Sequence, residues 1–235
     1  MSSREDTNPF ERAHYQKINN ARMEHLLSLN LPIEGRSVLE LGAGIGDLSP
    51  FFIDRAHDIL IIEGRSENID ILQKRYEKSE FPHVDIVQMD LDWAGREDID
   101  GYDIVFCYGL LYHLKDPIKF LDWVVVHCNQ YMILETCVST CGDVNNLSEN
   151  KGDITQSLNG IGCRPGRRWL FEELKKRFRY VYTPYTQPNH EQFPDDWVTT
   201  TDVLGLLTRS IFIASKYALN NGMLFEGLLD RQSIG

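Results

Sequence analysis

The chain contains no apolar run approaching the roughly 18 residues of a membrane-spanning helix, and its opening residues, MSSREDTNPF, hold no apolar signal core. A soluble, cytoplasmic protein with no membrane partner is therefore expected. Cysteine is sparse and unpaired in pattern. Cys107, Cys128, Cys137, Cys141 and Cys163 form no CxxC, their number is odd, and a chain of 235 residues needs no disulfide staple, so reduced thiols are expected. Positive charge is also short. Lys and Arg total 24 against 35 Asp and Glu, and the net charge of -11 argues against a surface that grips a phosphate backbone throughout, leaving only a local basic site. Internal repeats and low-complexity tracts are absent as well, which excludes solenoids and arrays. What is present is apolar material, 42% of residues, enough for one full core.

Periodicity and punctuation divide that material into three parts. Asn8 as N-cap, Pro9 at the first helical position and Glu11 three after the cap predict a helix to about Leu29, within an N-terminal helical extension over 1–34. From 35 to 218 short apolar runs alternate with amphipathic stretches: SVLELGA, a helix over 46–55, DILIIEG, a helix over 66–79, VDIVQMD, YDIVFCYG, a helix over 116–127, then QYMILETC. Such alternation implies an α/β fold, a parallel sheet covered on both faces. Residues 138–168 lose this periodicity and read as a long loop or small cap, with a second irregular stretch over 184–200. A helix at 168–178 separates the two, and RYVYTPY and SIFIASK predict a late antiparallel hairpin at a sheet edge. The tail, 219–235, is expected to pack as a short helix or serve as a contact.

The first strand runs into Glu40-Leu41-Gly42-Ala43-Gly44-Ile45-Gly46, and its glycines allow a tight turn with a ligand lying against bare backbone beside a helix N-terminus. The spacing is GxGxG rather than GxGxxG, which turns the reading away from a dinucleotide pyrophosphate. Glu63 ends the second strand, 21 residues after Gly42, where a carboxylate can accept both hydroxyls of a ribose. The third strand ends in Asp90-Leu91-Asp92, where a carboxylate can accept from an adenine amino group.

With ExGxGxG at 40–46, an acid at 63, the acidic pair at 90–92 and DIVFCYGLLYHL at 103–114, the chain resembles the class I S-adenosylmethionine-dependent methyltransferases, closely over about 35–137. The resemblance implies a Rossmann-like, mostly parallel sheet of seven strands in the order 3-2-1-4-5-7-6, the last antiparallel, with helices on both faces. It also implies S-adenosyl-L-methionine as cofactor. Its methionine part would meet Gly42, Gly44 and Gly46, its ribose Glu63, and its adenine Asp90 and the backbone of Leu91, with Glu40 and Tyr108 completing the site.

The acceptor side is less determined. Methyl transfer depends on holding the acceptor close to the methyl carbon, and a base helps only when a hydroxyl must lose its proton. His113 is the leading base candidate, against a purely structural histidine; Glu135, at the end of the fifth strand, either orients or deprotonates an acceptor or caps a loop. Tyr112 is read as packing on the acceptor. Residues 164–179 hold seven basic and two acidic side chains; of these Arg164 and Arg167, ahead of a helix, are candidate ligands of an anionic group, whereas Lys175, Lys176 and Arg177 suit a helix C-terminus. His190 and Trp197, in the second irregular stretch, are read as closing the same pocket. No metal is expected: Asp143, Asn145 and Asn146 lack a partner acid at the end of strand 4, and Cys137, Cys141 and Cys163 have no zinc spacing. CYGL does not match the Asn/Asp-Pro-Pro-Tyr/Phe sequence of DNA-base amino methyltransferases. LLYHLKDP is similar both to small-molecule methyltransferases and to the tRNA wobble-uridine carboxymethyl-transfer enzymes. The expectation is methylation of a small, anionic metabolite, oxygen preferred as acceptor; the alternatives are tRNA modification, tRNA being the one nucleic acid retained, and a non-catalytic cofactor-binding module.

Overall fold

The computed structural model describes residues 8–93, 99–203 and 205–235; residues 1–7 of the expected extension, and 94–98 and 204 of the expected central domain, lie outside these. The chain enters through a helix, α1 (Ala13–Ser28). The expected start at Pro9 is corrected: Asn8 Oδ1 does accept the Phe10 N–H at 3.0 Å, yet it caps only one 3-10 turn, because Arg12 turns extended before α1 begins.

The β-branched and leucine-rich runs then form β1 (Ser37–Leu41), β2 (Asp58–Glu63), β3 (Val84–Gln88), β4 (Tyr102–Tyr108) and β5 (Cys128–Val138). Between them lie α2 (Pro50–Ile53), α3 (Ser66–Arg75) and α4 (Pro117–His127). The helix expected over 46–55 shrinks to α2 because Pro50, which has no N–H to donate, takes its first position. Asp116 stops the chain sharply before α4 by accepting the Lys119 N–H at 3.1 Å. The cap stretch contains a hairpin, β6 (Val144–Ser148) with β7 (Ile161–Pro165), and leads into α5 (Arg167–Lys175). After it come β8 (Tyr180–Pro184), the two-residue β9 (Thr186–Gln187), β10 (Thr208–Ser215), β11 (Leu224–Glu226) and β12 (Ser233–Ile234).

The main sheet has eight strands in the order β11-β8-β10-β5-β4-β1-β2-β3. From β3 to β5 every pairing is parallel, whereas β10 runs antiparallel between β5 and β8. The expected seven-strand order is present. The tail corrects the rest: it supplies an eighth strand, β11, antiparallel to β8, so the late hairpin is not the edge and no tail helix forms.

Alternation along the strands builds two cores. Val38, Ile59, Ile61, Ile104, Phe106 and Ile133 face α1, α2 and α3, while their neighbours Leu39, Leu60, Val105, Cys107, Met132 and Leu134 face α4 and α5. Each such side chain, fully buried, contributes about 1.5–3 kcal/mol. The strand order reverses between β1 and β4, and the crevice at their carboxyl ends is the position where such sheets hold ligands. Among the described residues, no helix is long and apolar enough to cross a membrane.

Candidate active site

A cavity of about 420 Å³ occupies that crevice. Its floor is the β1 turn, where Gly42 and Gly44 take φ of +71° and +58°, a region that L side chains rarely adopt. Glu63 reaches in from the end of β2. One oxygen accepts the Gly44 N–H at 2.9 Å and the other accepts from Arg65 N–H and Asn68 Nδ2, so the carboxylate braces the turn; burial still raises its pKa against these donors. Glu40 also lines the cavity, its pKa pushed up to about 7 chiefly by burial, with the neighbouring Glu63 adding to the effect. Asp90 and Leu91 lie at the same end, and Tyr108 contributes a buried hydroxyl without a hydrogen-bond partner. Gly46 does not line the cavity. A Cβ there would run into Leu72 and Tyr76, and the Gly46 carbonyl accepts the Tyr76 hydroxyl at 2.7 Å, so the expected ligand contact is corrected to a packing contact with α3.

The other end of the cavity is walled by α1, by the segments after β4 and β9, by β7 and by the start of β10. Tyr112, His113, Arg164, His190 and Arg209 meet there with Arg22 of α1. Arg164 stands over the Tyr112 ring at 4.9 Å and Arg209 over the same ring at 5.1 Å. Glu135 lies behind them, fully buried. One oxygen accepts from Arg22 Nη2 at 2.7 Å and the other from Arg209 Nη1 at 2.9 Å. Burial alone would raise its pKa, but the two guanidiniums outweigh that and lower it. The expected role of Glu135 as a base is therefore corrected: both oxygens are committed and the group holds its charge. His113 Nδ1 lies 2.6 Å from Glu149 Oε2; burial lowers the pKa of the imidazole, and Glu149 opposes the shift.

Arg167 is corrected too. It lies away from the cavity, donating to Ser210 Oγ and the Leu229 carbonyl and stacking on Trp197 at 3.9 Å. Trp197 thereby also leaves the pocket, while His190 stays in it. Four residues escaped the sequence reading: Arg22, Arg209, Glu149 and Asn159. Arg22 sits on the buried face of α1 with Ile18, Ala21, His25 and Leu26, and Arg209 is the second residue of β10, shortly before the apolar run Ile211 to Ala214; a charge beside apolar residues was the available signal.

The model of a methyltransferase domain family matches residues 14–177, most of the chain. The chain belongs to this family. It is a class I S-adenosylmethionine-dependent methyltransferase. Among curated proteins, the methyltransferase is 24% identical over 199 residues to a tRNA U34 carboxymethyltransferase of Dichelobacter nodosus, covering 80% of this chain and 61% of that one. It is 25% identical over 89 residues to a ubiquinone biosynthesis O-methyltransferase of Acinetobacter baylyi, covering 38% and 37%. The chain thus spans about three fifths or less of these relatives. Among solved structures, the N-terminal domain of EvdMO1 with SAH bound aligns with a TM-score of 0.63 at 20% identity, over 84% of this chain and 80% of that one. The magnesium protoporphyrin IX methyltransferase of Synechocystis aligns with a TM-score of 0.55 at 12% identity, over 86% and 80%. The family implies S-adenosylmethionine as cofactor, and the residues present fit that group. The turn at Gly42 and Gly44 offers backbone without side chains, a buried carboxylate stands beside it, and the Tyr108 hydroxyl awaits a partner.

Proposed function

We propose that this methyltransferase acts on a small anionic metabolite, with an oxygen as the preferred acceptor. One observation carries the reading: Arg22 and Arg209 share the single carboxylate of Glu135, so this group keeps an excess positive charge at the acceptor end of the cavity, and Arg164 adds to it there. Arg22 Nε is moreover buried without a partner, a donor free for a ligand's oxygen. A carboxylate or phosphate of the acceptor would satisfy these groups with charge-assisted hydrogen bonds.

On the cofactor side, Glu63 would accept the ribose hydroxyls, Asp90 and the Leu91 backbone would take the adenine, and Gly42 and Gly44 would lie along the methionine part, with Glu40 and Tyr108 closing the wall. When bound, S-adenosylmethionine supplies an electrophilic methyl carbon on a sulfonium. His113 takes the proton of the acceptor hydroxyl, and Tyr112 positions the acceptor beneath the guanidiniums. Five free cysteines, four of them buried, suit a reducing compartment, and the cytoplasm is the proposed location.

A second reading, transfer to tRNA, is favoured by the similarity over 80% of the chain to a tRNA U34 carboxymethyltransferase, and disfavoured by the net charge of -11. Incubation of the purified protein with methyl-labelled S-adenosylmethionine and fractionated cell extract decides between them. Label in an anionic small-molecule fraction is the expected result; label confined to tRNA overturns it in favour of the second reading.

A further inference from the structure

Glu149 follows β6 directly and opens the loop that returns to β7, its N–H donating to the Gly160 carbonyl at 2.9 Å. Its carboxylate is almost buried, 6% exposed, and a single oxygen, Oε2, receives both His113 Nδ1 at 2.6 Å and the Ser157 N–H at 2.6 Å. The approach depends on Gly162, because a Cβ there would collide with the Glu149 carboxylate and with the Tyr112 carbonyl. The same loop is fastened to the cofactor end of the cavity. The Arg65 guanidinium donates to the carbonyls of Asp153 at 3.1 Å and Gln156 at 3.0 Å, and Asn159 Nδ2 bridges Asp90 Oδ2 and Asp92 Oδ2 at 3.0 and 2.9 Å.

We propose that Glu149 is a positioning residue for methyl transfer: by accepting Nδ1–H it holds His113 in the tautomer whose Nε2 is unprotonated and free to receive the acceptor's proton. The inference rests on the reading of His113 as base. The acceptor's O–H bond breaks, its proton passes to Nε2, and the resulting imidazolium stays paired with the Glu149 carboxylate. The carboxylate on Nδ1 fixes which ring nitrogen carries the proton, and the missing Cβ at Gly162 leaves room for it beside the Tyr112 carbonyl. Because Glu149 and Asn159 belong to one loop, the base is aligned by the segment that also touches the proposed adenine carboxylate.

The test uses the full chain with 15N-labelled histidine, His113→Gln serving to assign the resonance. The charged and aromatic groups facing this ring are Glu149, Arg164, Arg209 and Tyr112, and all but the first are left intact. At neutral pH the parent is expected to show Nδ1 protonated and Nε2 bare, and Glu149→Gln to shift His113 to mixed tautomers, with S-adenosylhomocysteine affinity by calorimetry within about threefold of the parent. Gly162→Ala, whose Cβ crowds the carboxylate and the Tyr112 carbonyl without removing either, is expected to give the same shift. A parent spectrum with Nε2 protonated, or one unchanged in both variants, overturns the proposal. Turnover of the labelled fraction separates the underlying reading: Glu149→Gln should lower kcat at least about tenfold with KM nearly unchanged. Parent-like turnover in His113→Gln, with the spectra as expected, overturns the base reading itself.

Discussion

Arg22 Nη2 in α1 lies 2.7 Å from Glu135 Oε2 at the carboxyl end of β5, across 113 residues of chain, and both side chains are buried. Arg209 closes the group from β10. Removing the shared charge leaves two guanidiniums uncompensated, so Glu135→Gln should cost about 3–5 kcal/mol in urea unfolding near neutral pH. The folded pKa lies below the unfolded value of 4.5. The stabilisation is therefore complete above that value and lost as pH falls through the folded pKa, and the variant should lack this acid limb. A parent and variant of equal stability would show the group to be energetically idle.

Glu63→Ala should weaken S-adenosylmethionine binding by about 2 kcal/mol in calorimetry, since it removes the proposed acceptor of the two ribose hydroxyls. It should also loosen the turn, because Gly44, Arg65 and Asn68 all donate to this carboxylate. Unchanged affinity would refute the ribose assignment.

Two glycines of one motif should respond differently. A Cβ on Gly46 would meet Leu72 at 2.6 Å and Tyr76 at 2.9 Å, so Gly46→Ala should lower unfolding stability by about 1–3 kcal/mol. At Gly44 the nearest atoms to the same Cβ would be those of the Phe10 ring, at 3.4 Å, an ordinary to slightly tight contact. Gly44→Ala should thus cost about 1 kcal/mol of backbone strain while losing cofactor affinity more than Gly46→Ala does. Equal affinity losses in calorimetry would remove the distinction.

Arg164→Ala should raise the Michaelis constant for an anionic acceptor and leave cofactor affinity near the parent's, because Arg164 lines the acceptor end of the cavity. Arg167→Ala should instead lower the melting temperature without a selective effect on KM, as it undoes contacts to Ser210, Leu229 and Trp197. The reverse pattern would return Arg167 to the pocket.

Because burial lowers the pKa of His113 from 6.5, the neutral imidazole persists below that value, and the rate should fall only as pH drops further. His113→Ala should lose about 10²–10⁴ in turnover together with this limb. A flat parent profile and a normal variant would mean that positioning alone drives transfer.

The strand order followed from the family resemblance; the sequence by itself determined the alternation of strands and helices and the succession of Gly42, Gly44, Glu63 and Asp90 at strand ends. These are local signals: a period of two in β1 to β5, glycines where φ turns positive, acids one residue from an apolar run. Tertiary structure alone decided the charges. Glu135 reads the same in sequence whether it is a base or a counter-ion, and only its pairing with Arg22 and with Arg209, 74 residues away, makes it the latter. His113 likewise acquires its partner 36 residues downstream, in a stretch with no periodicity to read. The tail becomes β11 because β8 offers an open edge, a vacancy that exists only once the sheet has formed. Contacts of this kind are set by strand register and helix docking, which bring distant side chains within 3 Å with no trace in the spacing of either.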